Sequence, residues 1–113
     1  MGIGCKTMVE GIYIINVLYF ENKIYNSTKV IDSRTIGWFK TFQEAENAIL
    51  YNFGDIFENG YYNYALIEEV SSGIYITPKE TWYSVYFNLD DEYIINSCDK
   101  PEGFKQIVCF SFR

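Results

Sequence analysis

The side chains that could carry chemistry in this chain are carboxylates, because it contains no histidine. Histidine alone titrates near neutrality without perturbation, and it is the commonest general base and metal ligand, so most catalytic constellations are missing. The densest acidic cluster, Asp90, Asp91 and Glu92, supplies hard oxygen donors of the kind that hold Mg²⁺ or Ca²⁺. It lacks the spaced ligands and the glycine of a calcium loop, and it reads as a solvated hairpin turn with no metal. Glu68 and Glu69 are neighbours, so on a strand they point to opposite faces and cannot act as a pair. One is expected to face solvent and the other to form an ion pair with Arg34 or Lys40. A metal-dependent phosphoesterase would have to draw on Asp32, Asp55, Glu68 or the Asp90 to Glu92 run, and no spacing selects among them.

Two other constellations suit binding. Ser33-Arg34-Thr35 precedes Gly37-Trp38, combining an anion donor, two hydroxyls and an aromatic plane, which are parts for holding a phosphate and a base. The spacing is not that of a phosphate-binding loop. Thr35 and Gly37 lie one strand period apart and are expected to share a face that Trp38 does not. With Trp82 as a second stacking plane, Arg34, Trp38 and Trp82 form the ligand-binding set of a nucleotide-sequestering sponge. Asn59-Gly60-Tyr61-Tyr62-Asn63-Tyr64 concentrates tyrosines and amides beside a turn, as adaptable recognition loops do. Tyr61, Tyr62, Asn63 and Tyr64 are therefore the partner-binding candidates. For both segments the competing reading is ordinary strand packing.

Composition favours binding over catalysis. The 113 residues include 11 tyrosines, 9 phenylalanines and 2 tryptophans, and tyrosine's apolar face and hydroxyl serve recognition surfaces as well as cores. A hydrophobic content of 49% at this length fits one domain, residues 1–113, with its own core and no cofactor. The formal charge of -6, from 15 acidic against 9 basic residues, argues against direct nucleic-acid binding and is compatible with a basic protein surface as partner, the competing reading being that it simply keeps the protein soluble. Cys5, Cys98 and Cys109 form no CxxC pair, which implies a reduced, cytoplasmic protein, and Cys109 among Ile107, Val108 and Phe110 is expected to be a buried, inert thiol. The apolar run from Ile12 to Phe20 is too short to cross a bilayer, and neither a signal peptide nor membrane attachment is expected. Met1-Gly2 invites N-myristoylation, but Lys6 stands where Ser or Thr is wanted.

These candidates need elements to position them. Gly11 to Phe20 reads as a first central strand, Glu21-Asn22-Lys23 as a polar break, Asn26-Ser27 as a turn, and Thr28 to Phe39 as a second strand in which Gly37 marks a bulge or a close backbone approach. Thr41 and Glu44 make a capping box before an amphipathic helix whose apolar side is Phe42, Ala45, Ile49 and Phe53, ended by Asn52 and Gly54. Asp55 to Phe57 can add a helical turn before Asn59-Gly60. Strands are expected at Tyr61 to Val70, Ile74 to Thr77, Thr81 to Asn88, Tyr93 to Asn96 and Gln106 to Phe112, with a hairpin through Leu89-Asp90-Asp91-Glu92. The fold class is α+β, a mostly antiparallel sheet packed against one principal amphipathic helix.

Several segments in order, Ser33-Arg34-Thr35-Ile36-Gly37-Trp38-Phe39, the Thr41-capped helix with Glu44-Ala45, Asn52-Phe53-Gly54-Asp55-Ile56-Phe57-Glu58, Tyr61 to Val70, Gly73-Ile74-Tyr75 and Lys100-Pro101-Glu102, carry a resemblance. Together they resemble a group of small uncharacterised proteins from Firmicutes and their phages, over roughly residues 33–110. The resemblance brings no catalytic residues. It implies a setting, since small acidic phage proteins often counter bacterial immunity by blocking a nucleic-acid-guided effector or sequestering its nucleotide signal. The expectation is a non-enzymatic, anti-CRISPR-like inhibitor in the host cytoplasm that docks on a host defence effector. A nucleotide sponge is the alternative, and a homo-oligomer is compatible with either.

Overall fold

A computed structural model describes residues 11–23, 28–74, 77–88, 90 and 92–112. Five strands form one antiparallel sheet: β1 (Ile12–Lys23), β2 (Thr28–Phe39), β3 (Tyr64–Val70), β4 (Lys79–Phe87) and β5 (Tyr93–Cys98), in the order β2-β1-β3-β4-β5. One helix, α1 (Phe42–Leu50), lies between β2 and β3 in sequence. This is the expected α+β arrangement. β-branched and aromatic residues dominate β1 and β4, and they fill a pleated, two-sided surface well. Each neighbouring strand pair except β1 and β3 is consecutive in the chain; those two are joined by the excursion through β2 and α1.

The sheet is buried on both sides, and each face has its own core. On one face α1 sets Ala45, Ala48 and Ile49 onto Ile15, Val17, Ala65, Ile67, Tyr83 and Val85, with Phe57 and Tyr62 completing the cluster. Alanines on the inward side let the helix axis approach the strands closely. The Thr41 hydroxyl accepts the Glu44 N–H at 3.2 Å and donates to the Glu44 carboxylate at 3.0 Å, which fixes the start of α1. The helix stops at Leu50, so Phe53 falls beyond it and is 52% exposed, stacked on Tyr51 at 6.1 Å. Phe53 is thus not part of the helix's buried side.

The second face is closed by the segment that follows β5. Residues 106–112, expected to be a strand, form turns after a short 3₁₀ turn at Glu102–Phe104. Phe104 and Phe110 drop their rings onto Leu18, Leu66 and Trp82. Phe104 stacks on Trp82 at 5.5 Å, and Phe110 meets the same indole edge-on at 5.7 Å. Pro101 and the close passage of Gly103 over Phe20 lay the chain on this face before that stretch begins. This strap, with a polar latch described below, does the work that the last expected strand was to do.

Other boundaries also differ from expectation. β1 runs on through Glu21, Asn22 and Lys23, because β2 pairs with it as far as Lys23 opposite Thr28. β3 starts at Tyr64, three residues later than expected, and β4 starts earlier, at Lys79. Ile74 and Thr77 are not in a strand, while Tyr75 and Ile76, like Cys5, Lys6, Asn26, Ser27, Leu89 and Asp91, lie outside the described residues. Cys109 is half-buried, as is Cys98, whose thiol is pushed up by burial and then by Asp99.

Candidate functional site

Strand register decides which predicted residues meet. β1 and β2 pair in step except at one bulge, where Ile15 faces Gly37 but Asn16 faces Thr35, leaving Ile36 as the extra residue. A one-residue insertion swaps the faces of everything beyond it. Arg34, opposite Val17, lies on the helix side of the sheet, whereas Trp38, opposite Ile14, lies on the other side. Thr35, opposite Asn16, therefore shares its face with Trp38, contrary to the simple strand period. Trp82 is 4% exposed inside the second core, where its indole N–H donates to Glu80 at 3.1 Å, while Trp38 is 56% exposed. The structure does not bring Arg34, Trp38 and Trp82 together.

Arg34 instead belongs to a ledge on the helix side. Its guanidinium Nη1 lies 2.5 Å from a carboxylate oxygen of Glu58, so Glu58, and neither Glu68 nor Glu69, is its acidic partner. Two residues away on the same face of β2, Asp32 accepts the Tyr61 hydroxyl at 2.9 Å. The Tyr61 ring stacks on Tyr19 at 5.0 Å with an interplanar angle of 15°, and Tyr19 donates its hydroxyl to Glu21 at 2.6 Å. Both phenols are pushed above their ordinary value, chiefly because each donates to a carboxylate that favours the protonated form. Arg34, Thr35, Asp55 and Glu58 line a shallow cleft of about 330 Å³ beside this stack.

The connector after α1 builds half of the ledge. Asn52, Gly54, Asp55, Glu58, Asn59 and Gly60 all have left-handed backbone conformations, with φ between 48° and 85°. Asn, Asp and Gly adopt that region readily, but Glu does so at a cost of order 1 kcal/mol. The Asn52 side chain accepts the Phe57 N–H at 3.1 Å and the Asp55 carboxylate accepts the Asn59 N–H at 3.2 Å, so the coil is pinned from within. Glu58 is the one residue in it held left-handed without Asx or Gly chemistry, and it carries the ion pair to Arg34.

The four partner-binding candidates divide. Tyr61 is 45% exposed on the ledge. Tyr62 is 6% exposed in the helix-side core, its phenol pushed up by burial first and then by Glu58 and Asp32, with Arg34 acting in the other sense. Asn63 is committed to the backbone of Phe20, and Tyr64 packs edge-on against Phe104 on the opposite face. Tyr19 and Glu58 were not singled out by their sequence. Tyr19 was legible in principle, because Tyr13, Ile15, Val17 and Tyr19 alternate down one face of β1.

Glu68 occupies the other face, fully buried. Its carboxylate accepts the backbone N–H of Phe110 at 2.8 Å and of Ser111 at 2.9 Å, the Asn16 amide at 3.1 Å, and the Ser111 hydroxyl. Asn16 also donates to Ser111 Oγ at 3.0 Å and accepts the Thr35 hydroxyl at 2.7 Å. Directly across the β3–β4 pair stands Glu80, 3.2 Å from the Lys100 ammonium. Facing carboxylates are thus separately compensated, one by neutral donors and one by a cation. This network latches the strap and is saturated with internal partners. Glu69, on the helix side, is exposed. Among the described residues no group of three or more acidic or thiol side chains could hold a metal ion, and no helix is long and apolar enough to cross a membrane.

No protein-family model, curated protein or solved structure matches this chain.

Proposed function

We propose that this domain is a non-enzymatic docking protein of the anti-defence, anti-CRISPR-like type, and that it binds a basic surface of a host immune effector through the ledge. The observation that carries this reading is the stacked Tyr19 and Tyr61 pair set among four carboxylates, Glu21, Asp32, Asp55 and Glu58, with Arg34 paired to Glu58. Rigid aromatic planes supply contact area at little entropic cost, and the acidic excess supplies steering toward a basic partner. The overall acidity of the chain, -6, acts in the same direction. The internally saturated Glu68 network and the separation of Arg34 from Trp38 and Trp82 both weigh toward docking over nucleotide capture.

The test is phage plating on bacteria that carry an active RNA-guided or nucleotide-signalling immune system, with and without the protein. The wild type is expected to restore plating, and Asp32→Lys with Glu58→Lys is expected to reduce that restoration at least tenfold while Trp38→Ala leaves it intact. With the purified effector, affinity should fall as salt rises. Restoration that survives the double charge reversal, or that depends on Trp38 instead, would remove the ledge from the reading.

A further inference from the structure

Among the described residues β5 is the outer strand of the sheet, paired to β4 on one side only. The direction of its free backbone groups follows from two hydrogen bonds. Val85 sends its N–H toward Asn63 C=O, 2.9 Å, on the β3 side of β4. Its partner Ile95 therefore sits in a pair that exchanges no bonds with Val85, and the N–H and C=O of Ile95 point away from β4. The Asn88 N–H to Glu92 C=O bond at 2.9 Å gives the same phase from the hairpin end. Tyr93, Ile95 and Ser97 thus present a row of outward donors and acceptors.

Edges of this kind are normally blunted by charge, proline or a bulge. Tyr93–Cys98 has none of these. The opposite edge strand, β2, has the bulge at Ile36 and carries Asp32 and Arg34. In a chain with a formal charge of -6, an uncharged six-residue edge is an unusual stretch where a second equally acidic molecule can approach. The strand is also self-complementary. Antiparallel about Ile95, each Ile95 faces the other, Tyr93 faces Ser97, and Ile94 faces Asn96, so no like charges are opposed along the pair.

We infer that β5 is the docking edge for a second copy of this chain, the two strands meeting antiparallel about Ile95 to make one continuous sheet through both molecules. The outward groups of Tyr93, Ile95 and Ser97 then exchange backbone hydrogen bonds across the two-fold axis. The outward backbone groups of this edge are distinct from the tyrosine and carboxylate ledge, although the Tyr93 ring packs on Phe57 and its phenol lies beside Asp55 and Gly60 of the connector. The two surfaces respond oppositely to salt. Screening relieves repulsion between two acidic copies, so salt strengthens the dimer, whereas it weakens docking to a basic partner.

The experiment is sedimentation equilibrium of the full chain over a concentration series, with amide hydrogen exchange on the same samples. The wild type is expected to approach twice its 13.3 kDa chain mass. Ser97→Pro removes an outward N–H that β4 does not use, and Ile94→Glu adds charge at the edge; each should weaken the dimer at least tenfold, with Tyr51→Glu as the unaffected charge control. The amides of Tyr93, Ile95 and Ser97 should gain protection as concentration rises, while those of Ile94 and Asn96 stay protected throughout. A wild type that remains monomeric across the series overturns the inference. So does a dimer that survives both edge substitutions, or protection at Tyr93, Ile95 and Ser97 that ignores concentration, which would mean that another part of the same chain covers the edge.

Discussion

Asn63 uses its side chain as a piece of strand backbone for Phe20: the amide oxygen accepts the Phe20 N–H at 3.0 Å and the amide nitrogen donates to the Phe20 C=O at 2.9 Å. Its own N–H meets Leu18 C=O at 3.0 Å and its C=O meets Val85 N–H at 2.9 Å. One residue thereby extends the β1–β3 ladder past the end of β3 and couples it to β4. Asn63→Ala is expected to cost about 1 to 3 kcal/mol, the sum of two part-buried hydrogen bonds. Asn63→Asp, which keeps the acceptor but sets a carboxylate oxygen against the Phe20 C=O, should cost at least as much. Urea midpoints at unchanged slope measure both.

The Glu68 latch predicts a local response as well as a global one. Glu68→Ala strands the N–H groups of Phe110 and Ser111 and should destabilise the fold by about 3 kcal/mol or more. Glu68→Gln keeps the shape but sets an amide nitrogen against one of those donors, so the strap should loosen before the sheet does. Faster exchange at the Phe110 and Ser111 amides, with Trp82 emission moving toward that of an exposed indole, is the expected signature. Unchanged exchange at both amides would separate the strap from Glu68.

Tyr83 ties the sheet to α1 by donating its hydroxyl to Glu46 at 2.6 Å. Burial first, and then the Glu46 bond and charge, push its phenol well above the ordinary value of 10.0. The folded protein then retains a proton that the unfolded chain loses, so this contribution is intact below pH 10 and stability falls as the pH rises beyond it. Tyr83→Phe should flatten that alkaline decline relative to wild type. Parallel melting curves of the two proteins from neutral pH upward provide the comparison.

Gly103 is required by proximity to Phe20. A methyl group there would lie 2.1 Å from the Phe20 ring, which itself meets Phe104 edge-on at 5.2 Å. Gly103→Ala should cost about 1 to 3 kcal/mol, typical of overpacking, and Phe20→Leu should recover part of it by yielding space. A thermal midpoint unchanged by Gly103→Ala would show that the strap can ride higher without penalty.

Much of the framework was legible because local chemistry and tertiary packing agree. Thr41 and Glu44 announced α1, and the apolar run from Gly11 to Phe20 announced a central strand. Gly37 marked the bulge to within one residue of Ile36, but the consequence, Arg34 and Trp38 on opposite faces, depends on the register with β1 and not on β2 alone. Glu68 looked like an ion-pair partner because its real donors, the amides of Phe110 and Ser111, are backbone groups that no side-chain pattern reveals. The strap reads as a strand because Ile107, Val108 and Phe110 have the right composition, while the placement of Ile107 and Phe110 is set by the rings beneath them. On the ledge, Tyr61 was visible and Tyr19 was absorbed into a strand pattern that also explains it.

The hydrogen bond from Asn16 to Ser111 joins positions 95 residues apart in the chain. Closing so long a loop is entropically slow compared with forming the β1–β2, β3–β4 and β4–β5 hairpins. The latch therefore belongs to the final stage of folding, after the barrier, and its loss should quicken unfolding while leaving the refolding rate nearly unchanged. Ser111→Ala followed by stopped-flow in both directions reads that partition directly. If it holds, how long a folded molecule persists is governed by a serine at the far end of the strap and not by the sheet that it covers.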